Sequence, residues 1–400
     1  MRPRRDDAGF AAVDYRPIVQ WIEPLFFVVN ANGIDAAAKT RAKLPHNTAM
    51  STLAKNIIAW QKQSGRHDLP WQNTRDAYRI WVSEIMLQQT QVSAVIGYYA
   101  RFMARFPGVA TLASAPIDDV MQHWAGLGYY ARARNLHKAA AMVVDQFGGE
   151  FPRAYEDVWS LPGIGRSTAA AICAFAYGER RAILDGNVKR VFARNFGVDG
   201  DMRAKAIEDA MWEIAEREVP PADIEAYTQG LMDLGAALCT RGTPSCLLCP
   251  LRKTCVAFNE GRIAELPGKS PKKETPHRQT RMLVMVSANE VLIERRPPTG
   301  IWGGLWSLPE VPVEADVLAI AKDRYLVTTS KGRRPRPLAE VEHGFTHYSL
   351  TIYPVAIAVS KRQLFAAEPG VMWLNLADIT NAALPAPVKK ILLALAEDKR

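Results

Sequence analysis

No apolar run in this 400-residue chain is long enough to span a bilayer. The most apolar early stretch, residues 18–29, is short and is interrupted by Glu23 and Pro24. A cleaved secretory leader is also excluded as an expectation, because Asp6 and Asp7 stand among the first arginines. Cysteine is scarce: there are five, and four of them fall between Cys239 and Cys255. That crowding argues against a disulfide framework and for a metal site in a reducing compartment. Acid is in deficit, with 41 Asp and Glu against 50 Lys and Arg and a net charge of +9. A basic excess favours polyanionic partners, since each Lys or Arg near a phosphate releases counterions. No internal repeat is visible. These features describe a soluble monomer of the cytoplasm or nucleoid.

Length and the 48% apolar content suit two globular domains. Residues 1–50 show no periodicity and read as a disordered extension; Met50 is itself a candidate start. Helical spacing begins with Leu53, Ile57, Ile58 and Trp60 and continues to about residue 258. Residues 259–276 form an exposed linker rich in Pro and Lys. Residues 277–400 turn to strand patterns at 282–286, 291–294 and 350–359, with helices at 317–326 and 388–396. The expected fold is multidomain: a mainly α domain followed by a smaller α+β domain.

Four local patterns carry chemistry. Cys239, Cys246, Cys249 and Cys255 offer four thiolates in one short loop, which suits a [4Fe-4S] cluster with one cysteine per iron. Structural zinc is the alternative, but it usually uses two Cys-x-x-Cys pairs, and only one is present. Cys173, alone in an apolar helical run, reads as core. The second pattern is Leu161-Pro162-Gly163-Ile164-Gly165 between two helical segments, 155–160 and 167–177. Gly163 and Gly165 permit a sharp turn and a close backbone approach, and the N–H groups opening the second helix can hold a phosphate. Third, Asp185 precedes a helix; taken alone it is an ordinary N-cap. Fourth, Glu84 is the lone acid of an apolar helix, with Ile80, Trp81, Ile85 and Leu87 as helical neighbours. Desolvation there would raise its pKa towards that of a general acid, although a buried structural carboxyl fits equally well.

In this order the pieces resemble the helix–hairpin–helix DNA glycosylase superfamily, which includes endonuclease III, and more closely its MutY-type adenine glycosylases. The resemblance runs from about residue 53 to the C-terminus. It rests on the runs Ser83-Glu84-Ile85-Met86-Leu87-Gln88-Gln89-Thr90-Gln91, Gly126-Leu127-Gly128-Tyr129-Tyr130-Ala131-Arg132-Ala133-Arg134-Asn135 and Ile183-Leu184-Asp185-Gly186-Asn187-Val188-Lys189-Arg190. It implies a DNA-repair hydrolase that excises adenine mispaired with 8-oxoguanine or guanine. Glu84 would protonate adenine, Asp185 would stabilise the sugar cation, and Asn187 would order the site. Trp71 and Gln229 would line the adenine pocket. Leu87, Gln89 and Tyr129 would wedge into the base stack.

The C-terminal part is similar to the Nudix-type domain that reads 8-oxoguanine in this family. The resemblance assigns that reading to Phe345, Thr346 and His347. Gly304 and Glu310 echo the opening of a Nudix box, but residues 311–323 lack its following carboxylates, so no pyrophosphatase activity is expected. Endonuclease III carries a lysine where this chain has Ser167, so a monofunctional glycosylase is expected. An endonuclease III-like lyase on oxidised pyrimidines and a non-enzymatic iron–sulfur protein are the competing readings.

Overall fold

The computed structural model describes residues 50–268, 275–345, 347–361 and 370–398. Among these, twelve α-helices precede the first strand. They are α1 (Thr52–Ser64), α2 (Ala77–Leu87), α3 (Val92–Arg105), α4 (Val109–Ser114), α5 (Ile117–Trp124) and α6 (Ala131–Phe147). Then follow α7 (Tyr155–Ser160), α8 (Arg166–Tyr177), α9 (Gly186–Phe196), α10 (Lys205–Glu218), α11 (Ile224–Asp233) and α12 (Val256–Asn259). Side-chain oxygens set three of the starts: Ser51 accepts from the Ala54 N–H, Asp76 from Tyr78 and Arg79, and Asp185 from Val188. The inward stripe of α1 is Leu53, Ala54, Ile57, Ile58 and Gln61, while Trp60 lies half-buried at its edge. Helix α2 is buried on most sides, with Trp81, Val82 and Met86 fully covered. Cys173 is fully buried in α8, the core position expected of it.

The C-terminal part is built on a mixed sheet. Its strands are β1 (His277–Ser287), β2 (Glu290–Arg295), β3 (Trp306–Ser307), β4 (Glu310–Val311), β5 (Thr328–Thr329), β6 (Arg336–Pro337), β7 (Val341–Gly344), β8 (Ser349–Lys361) and β9 (Val371–Asn375). The order β3-β2-β1-β8-β5 runs through its centre, with β1 and β8 parallel from His277↔Ser349 to Val286↔Ala358. Helices α13 (Val317–Asp323) and α14 (Ala386–Glu397) complete the unit. The five polar residues opening β1 carry no apolar signal; their pairing to β8 makes them strand. Residues 282–285 are continuously apolar because both faces are covered: Met282 and Val284 join one cluster, Leu283 and Met285 the other. The first cluster continues from the sheet and α14 into the helices of the N-terminal part.

Two expectations need correction. The 317–326 helix stops at Asp323, and Leu326 takes a left-handed φ of 51°. The linker is not exposed throughout: residues 259–261 are, but the stretch around Leu266 packs against the helical part. Leu266 is buried, its carbonyl accepts from Arg194 Nε at 2.8 Å, and Gly268 bridges to Asp201. The buried guanidinium of Arg194 needs acceptors, and this segment supplies one. The rest of that linker, residues 269–274, and the extension 1–49 lie outside the described residues. Among the described residues no helix is long and apolar enough to cross a membrane.

Candidate active site and DNA-facing surface

A cavity of about 640 Å³ opens beside α1, α2 and α11. It brings together Glu84, Trp71 and Gln229, three residues far apart in the chain. Glu84 sits on α2, its carboxyl sunk among protein atoms but still reaching the cavity. Burial first, and the charge of Asp185 second, push its pKa from 4.5 up to about 8. Trp71 is buried, with its ring edge-on to Tyr99 at 5.4 Å. Gln229 on α11 donates to Asp233 at 2.8 Å, one turn further on. Asp233 is 1% exposed and also receives the Arg66 backbone N–H at 2.9 Å and Arg66 Nε at 2.7 Å. The pair Asp233 and Arg66 fixes which way the Gln229 amide faces. Neither was singled out from sequence. The available signal was an acid flanked by Met232 and Leu234.

Asp185 is the N-cap of α9, with its Oδ1 accepting from Val188 N–H at 2.8 Å. The capping role read from sequence is present, and Asp185 also lies within electrostatic range of Glu84. Burial raises the Asp185 pKa, opposed by the backbone N–H groups of Val188 and Asn187 and by the charge of Arg190. The preceding N–H, of Leu184, donates to the Ser167 hydroxyl at 2.9 Å, which ties the hairpin helix to the segment entering Asp185. Asn187 Oδ1 accepts from Arg190 at 2.9 Å. Arg190 also reaches the carbonyls of Gly235 and Cys239, each at 2.7 Å. Lys189 is engaged in an ion pair with Glu208 at 2.7 Å.

The hairpin forms between α7 and α8. Gly163 has φ +81°, and a Cβ there would lie 2.9 Å from the Asn135 Cβ, so a side chain is excluded twice. Gly165 differs from the expectation. Its φ of −89° suits any residue, and a Cβ would meet nothing within 4 Å. It leaves the N-terminus of α8 open rather than bending the chain. Gly163→Ala is expected to lower stability by about 1 kcal/mol or more, read as a lower Tm. Gly165→Ala is expected to leave stability within about 0.5 kcal/mol. If its Tm fell as far as that of Gly163→Ala, the open reading of Gly165 would be wrong.

Leu87 closes α2, Gln89 lies in the loop that follows it, and Tyr129 lies on a neighbouring loop. Leu87 is half-buried, whereas Gln89 is exposed and Tyr129 is 49% exposed. Gln89 and Tyr129 both have left-handed backbones, with φ of 57° and 49°. Arg132 holds the two loops together. One of its amino groups donates to the carbonyls of Ile85, Met86 and Gln88 at 2.7–2.8 Å. The other reaches Thr90 Oγ1 and Gly128 O, both at 3.1 Å. Burial lowers its pKa to about 10. Arg132 falls inside the run from Gly126 to Asn135, but its anchoring role was not legible there, because its hydrogen-bond partners are backbone carbonyls and a threonine hydroxyl.

Cys239, Cys246, Cys249 and Cys255 are all free thiols, each half-buried. Burial pushes Cys249 up to about 11 and raises Cys246 and Cys255, and the fields of neighbouring cysteines add to this. Arg194 donates to Cys239 Sγ at 3.4 Å, and its carbonyl accepts from Cys255 Sγ at 3.4 Å. Among the described residues, no three His, Cys, Asp or Glu side chains converge as ligands of one ion.

In the C-terminal part, Phe345 and His347 lie in the turn between β7 and β8; Thr346 lies outside the described residues. His347 is exposed. Phe345 is half-buried, with ring centroids of His343 and Tyr348 at 4.6 Å and Trp302 at 5.4 Å. Glu310 forms an ion pair with Arg296, and Gly304 has φ +76°.

Comparison with known proteins finds relatives along most of the chain. Residues 82–217 match the HhH-GPD superfamily base excision DNA repair protein family, and residues 281–394 match the NUDIX domain. The adenine DNA glycosylase of Buchnera aphidicola subsp. Baizongia pistaciae is 37% identical over 347 residues, covering 86% of this chain and 97% of that protein. The adenine DNA glycosylase of Mus musculus is 33% identical, covering 88% and 79%. Among solved structures, a thermostable thymine-DNA glycosylase aligns at 30% identity and a TM-score of 0.47, covering 52% of this chain and 95% of that one. With a helical glycosylase region, a Nudix region and this identity along nearly the whole of a relative, the chain belongs to the adenine DNA glycosylases, hydrolases of base excision repair that cleave N-glycosyl bonds.

Proposed function

We propose that the protein removes adenine lying opposite 8-oxoguanine or guanine in duplex DNA, with Glu84 as general acid and Asp185 as the carboxylate facing the sugar. The observation that carries this is the Glu84 carboxyl in the cavity, with a pKa near 8 beside a second, backbone-hydrogen-bonded carboxyl. Adenine leaves poorly as an anion, so its ring must be protonated as the glycosidic bond breaks. Of the two carboxyls it is Glu84, with its pKa near 8, that holds the proton at neutral pH. Asp185, held by the Val188 N–H, supplies negative charge to the developing oxocarbenium ion. Asn187 keeps that end of α9 ordered through Arg190.

The base reaches the cavity by flipping out of the duplex. Trp71 and Gln229 form walls of the adenine pocket, and Leu87, Gln89 and Tyr129 fill the gap in the stack. Gly163 and Gly165 present backbone N–H groups to a phosphate. In this reading residues 51–258 are the glycosylase domain and residues 277–400 the opposite-base reader, joined by 259–276. Phe345, Thr346 and His347 contact 8-oxoguanine. The test is single-turnover base release from duplexes carrying A opposite 8-oxoguanine, A opposite G, or thymine glycol. Free adenine from the first, more slowly from the second, is expected; release of thymine glycol alone would refute the reading.

We assign a [4Fe-4S] cluster to Cys239, Cys246, Cys249 and Cys255. The donor set supports it: four unpaired thiols in mutual electrostatic contact. A cluster takes one thiolate per iron, so its ligands need not meet at one point. Such a cluster would hold the loop in shape.

Ser167 gives a further test of mechanism. Ser167→Lys places an amine beside the segment entering Asp185, where a Schiff base with the sugar becomes accessible. Borohydride should then trap a covalent complex with DNA, while base release slows because the Leu184 N–H loses its acceptor. Efficient trapping by the unmodified protein would contradict the monofunctional assignment.

A further inference from the structure

Arg134 lies in the first turn of α6, just beyond the loop that carries Tyr129. Its guanidinium donates to the carbonyl of Gly303 in the C-terminal part. Burial lowers its pKa, as expected for a charge drawn into a contact between the two parts. The loop that receives it is tightly closed. Gly304 N–H donates to Pro297 O at 3.0 Å, Arg296 N–H to Leu305 O at 2.9 Å, and Arg296 Nε to Ile301 O at 3.0 Å. A Cβ on Gly303 would lie 2.7 Å from Pro298 O, so the turn closes too tightly for a side chain there.

The neighbouring residue, Trp302, is held in a left-handed conformation with φ +53° and is 7% exposed. A bulky residue in that region is strained and persists only where its surroundings over-determine it. Its indole packs on Phe345 at 5.4 Å and His343 at 5.6 Å. One short line of contacts therefore runs from Phe345 through Trp302 and the Gly303 carbonyl to Arg134, and along α6 to the loop of Tyr129. A second contact between the two parts is of a different kind. Arg295 pairs with Asp118 at 2.5 Å, with both side chains a third to a half exposed. It joins β2 to α5 at the surface.

We propose that Arg134 is a specificity-determining positioning residue: it fixes the Phe345 turn at one distance from the Tyr129 loop, so that both engage the mispair at once. This rests on the reading of Phe345 as a sensor of 8-oxoguanine. A preset spacing spares the ordering that would otherwise be needed on binding, and the gain is realised only when the opposite base makes its contact with Phe345. Guanine, which gains less from that turn, loses less when the spacing is freed.

The test is the ratio of single-turnover adenine release from A opposite 8-oxoguanine to that from A opposite G, measured at subsaturating protein on the full chain. Arg134→Met keeps the aliphatic stem and removes the donors. It should lower the ratio roughly tenfold, within the range of one coupling contact, with little change on A opposite G. Arg134→Lys, which can still donate to a carbonyl, should recover part of the ratio. Adding Arg134→Met to Phe345→Ala should lower the ratio no further than Phe345→Ala alone. Arg295→Met should leave it unchanged. If Phe345→Ala lowers the ratio and Arg134→Met does not, the positioning role is overturned and the sensor reading stands. If Phe345→Ala has no effect, the sensor reading fails and this inference with it. An equal loss on both duplexes with a lowered Tm would make Arg134 merely structural and overturn the proposal.

Discussion

Glu84→Gln is expected to bind a duplex with A opposite 8-oxoguanine about as tightly as the unaltered protein, yet to release adenine ~10²–10⁴-fold more slowly in a single turnover. Glutamine keeps the shape and hydrogen-bonding reach of the side chain but has no proton to give. The size follows from the site. An exposed glutamate with a pKa of about 4.3 would be ionised at neutral pH and useless as an acid. Burial on α2 and the charge of Asp185 bring Glu84 to about 8, so most molecules hold the proton at pH 7.

The pH dependence has a definite sign. Raising a carboxyl pKa means that the neutral form is favoured in the folded protein. That contribution to stability is complete below about pH 4.5 and is lost as pH rises through about 8. Adenine release should therefore hold level through neutral pH and fall above pH 8, roughly tenfold per unit. Glu84→Gln should lack that alkaline limb. The two carboxyls are coupled, so the titration belongs to the pair. Asp185→Asn should also block release, through loss of negative charge, while retaining part of the α9 cap. A Glu84→Gln protein within a few-fold of normal activity would remove the central residue from the mechanism.

Cys249→Ala should lose iron and DNA affinity together. In the proposed cluster four thiolates would shape the loop from Cys239 to Cys255, and the same loop exposes Arg241, Arg252 and Lys253. Without the cluster these cations lose their fixed spacing against the phosphates. The disturbance also reaches inward, because Arg190 ties the Cys239 carbonyl to Asn187. Arg252→Ala separates loss of charge from loss of fold. It should retain about four irons per chain while the slope of log K against log salt becomes shallower by ~0.9, one phosphate contact. Stoichiometric zinc without iron in anaerobically purified protein would overturn the cluster. Full DNA affinity in an iron-free Cys249→Ala protein would overturn its role in binding.

The sequence by itself determined what depends on neighbours along the chain. The lone acid of α2 is visible because Ile80, Trp81 and Ile85 surround Glu84 at helical spacing. The turn at Gly163, the four cysteines, and the strands at 282–286 and 350–359 are likewise local signals. Tertiary structure decided what depends on partners distant in sequence. It set Glu84 within the field of Asp185, and turned Gln229 by way of Asp233 and Arg66. It made strand of the polar start of β1 by pairing it with β8, and buried Leu266 by way of Arg194. It also gathered the loops of Gln89 and Tyr129 around Arg132 and set Arg134 against Gly303. In these last cases the acceptors are mainly backbone carbonyls. Every residue has one, so no side-chain pattern announces which will be used; only the folded path of the chain selects them.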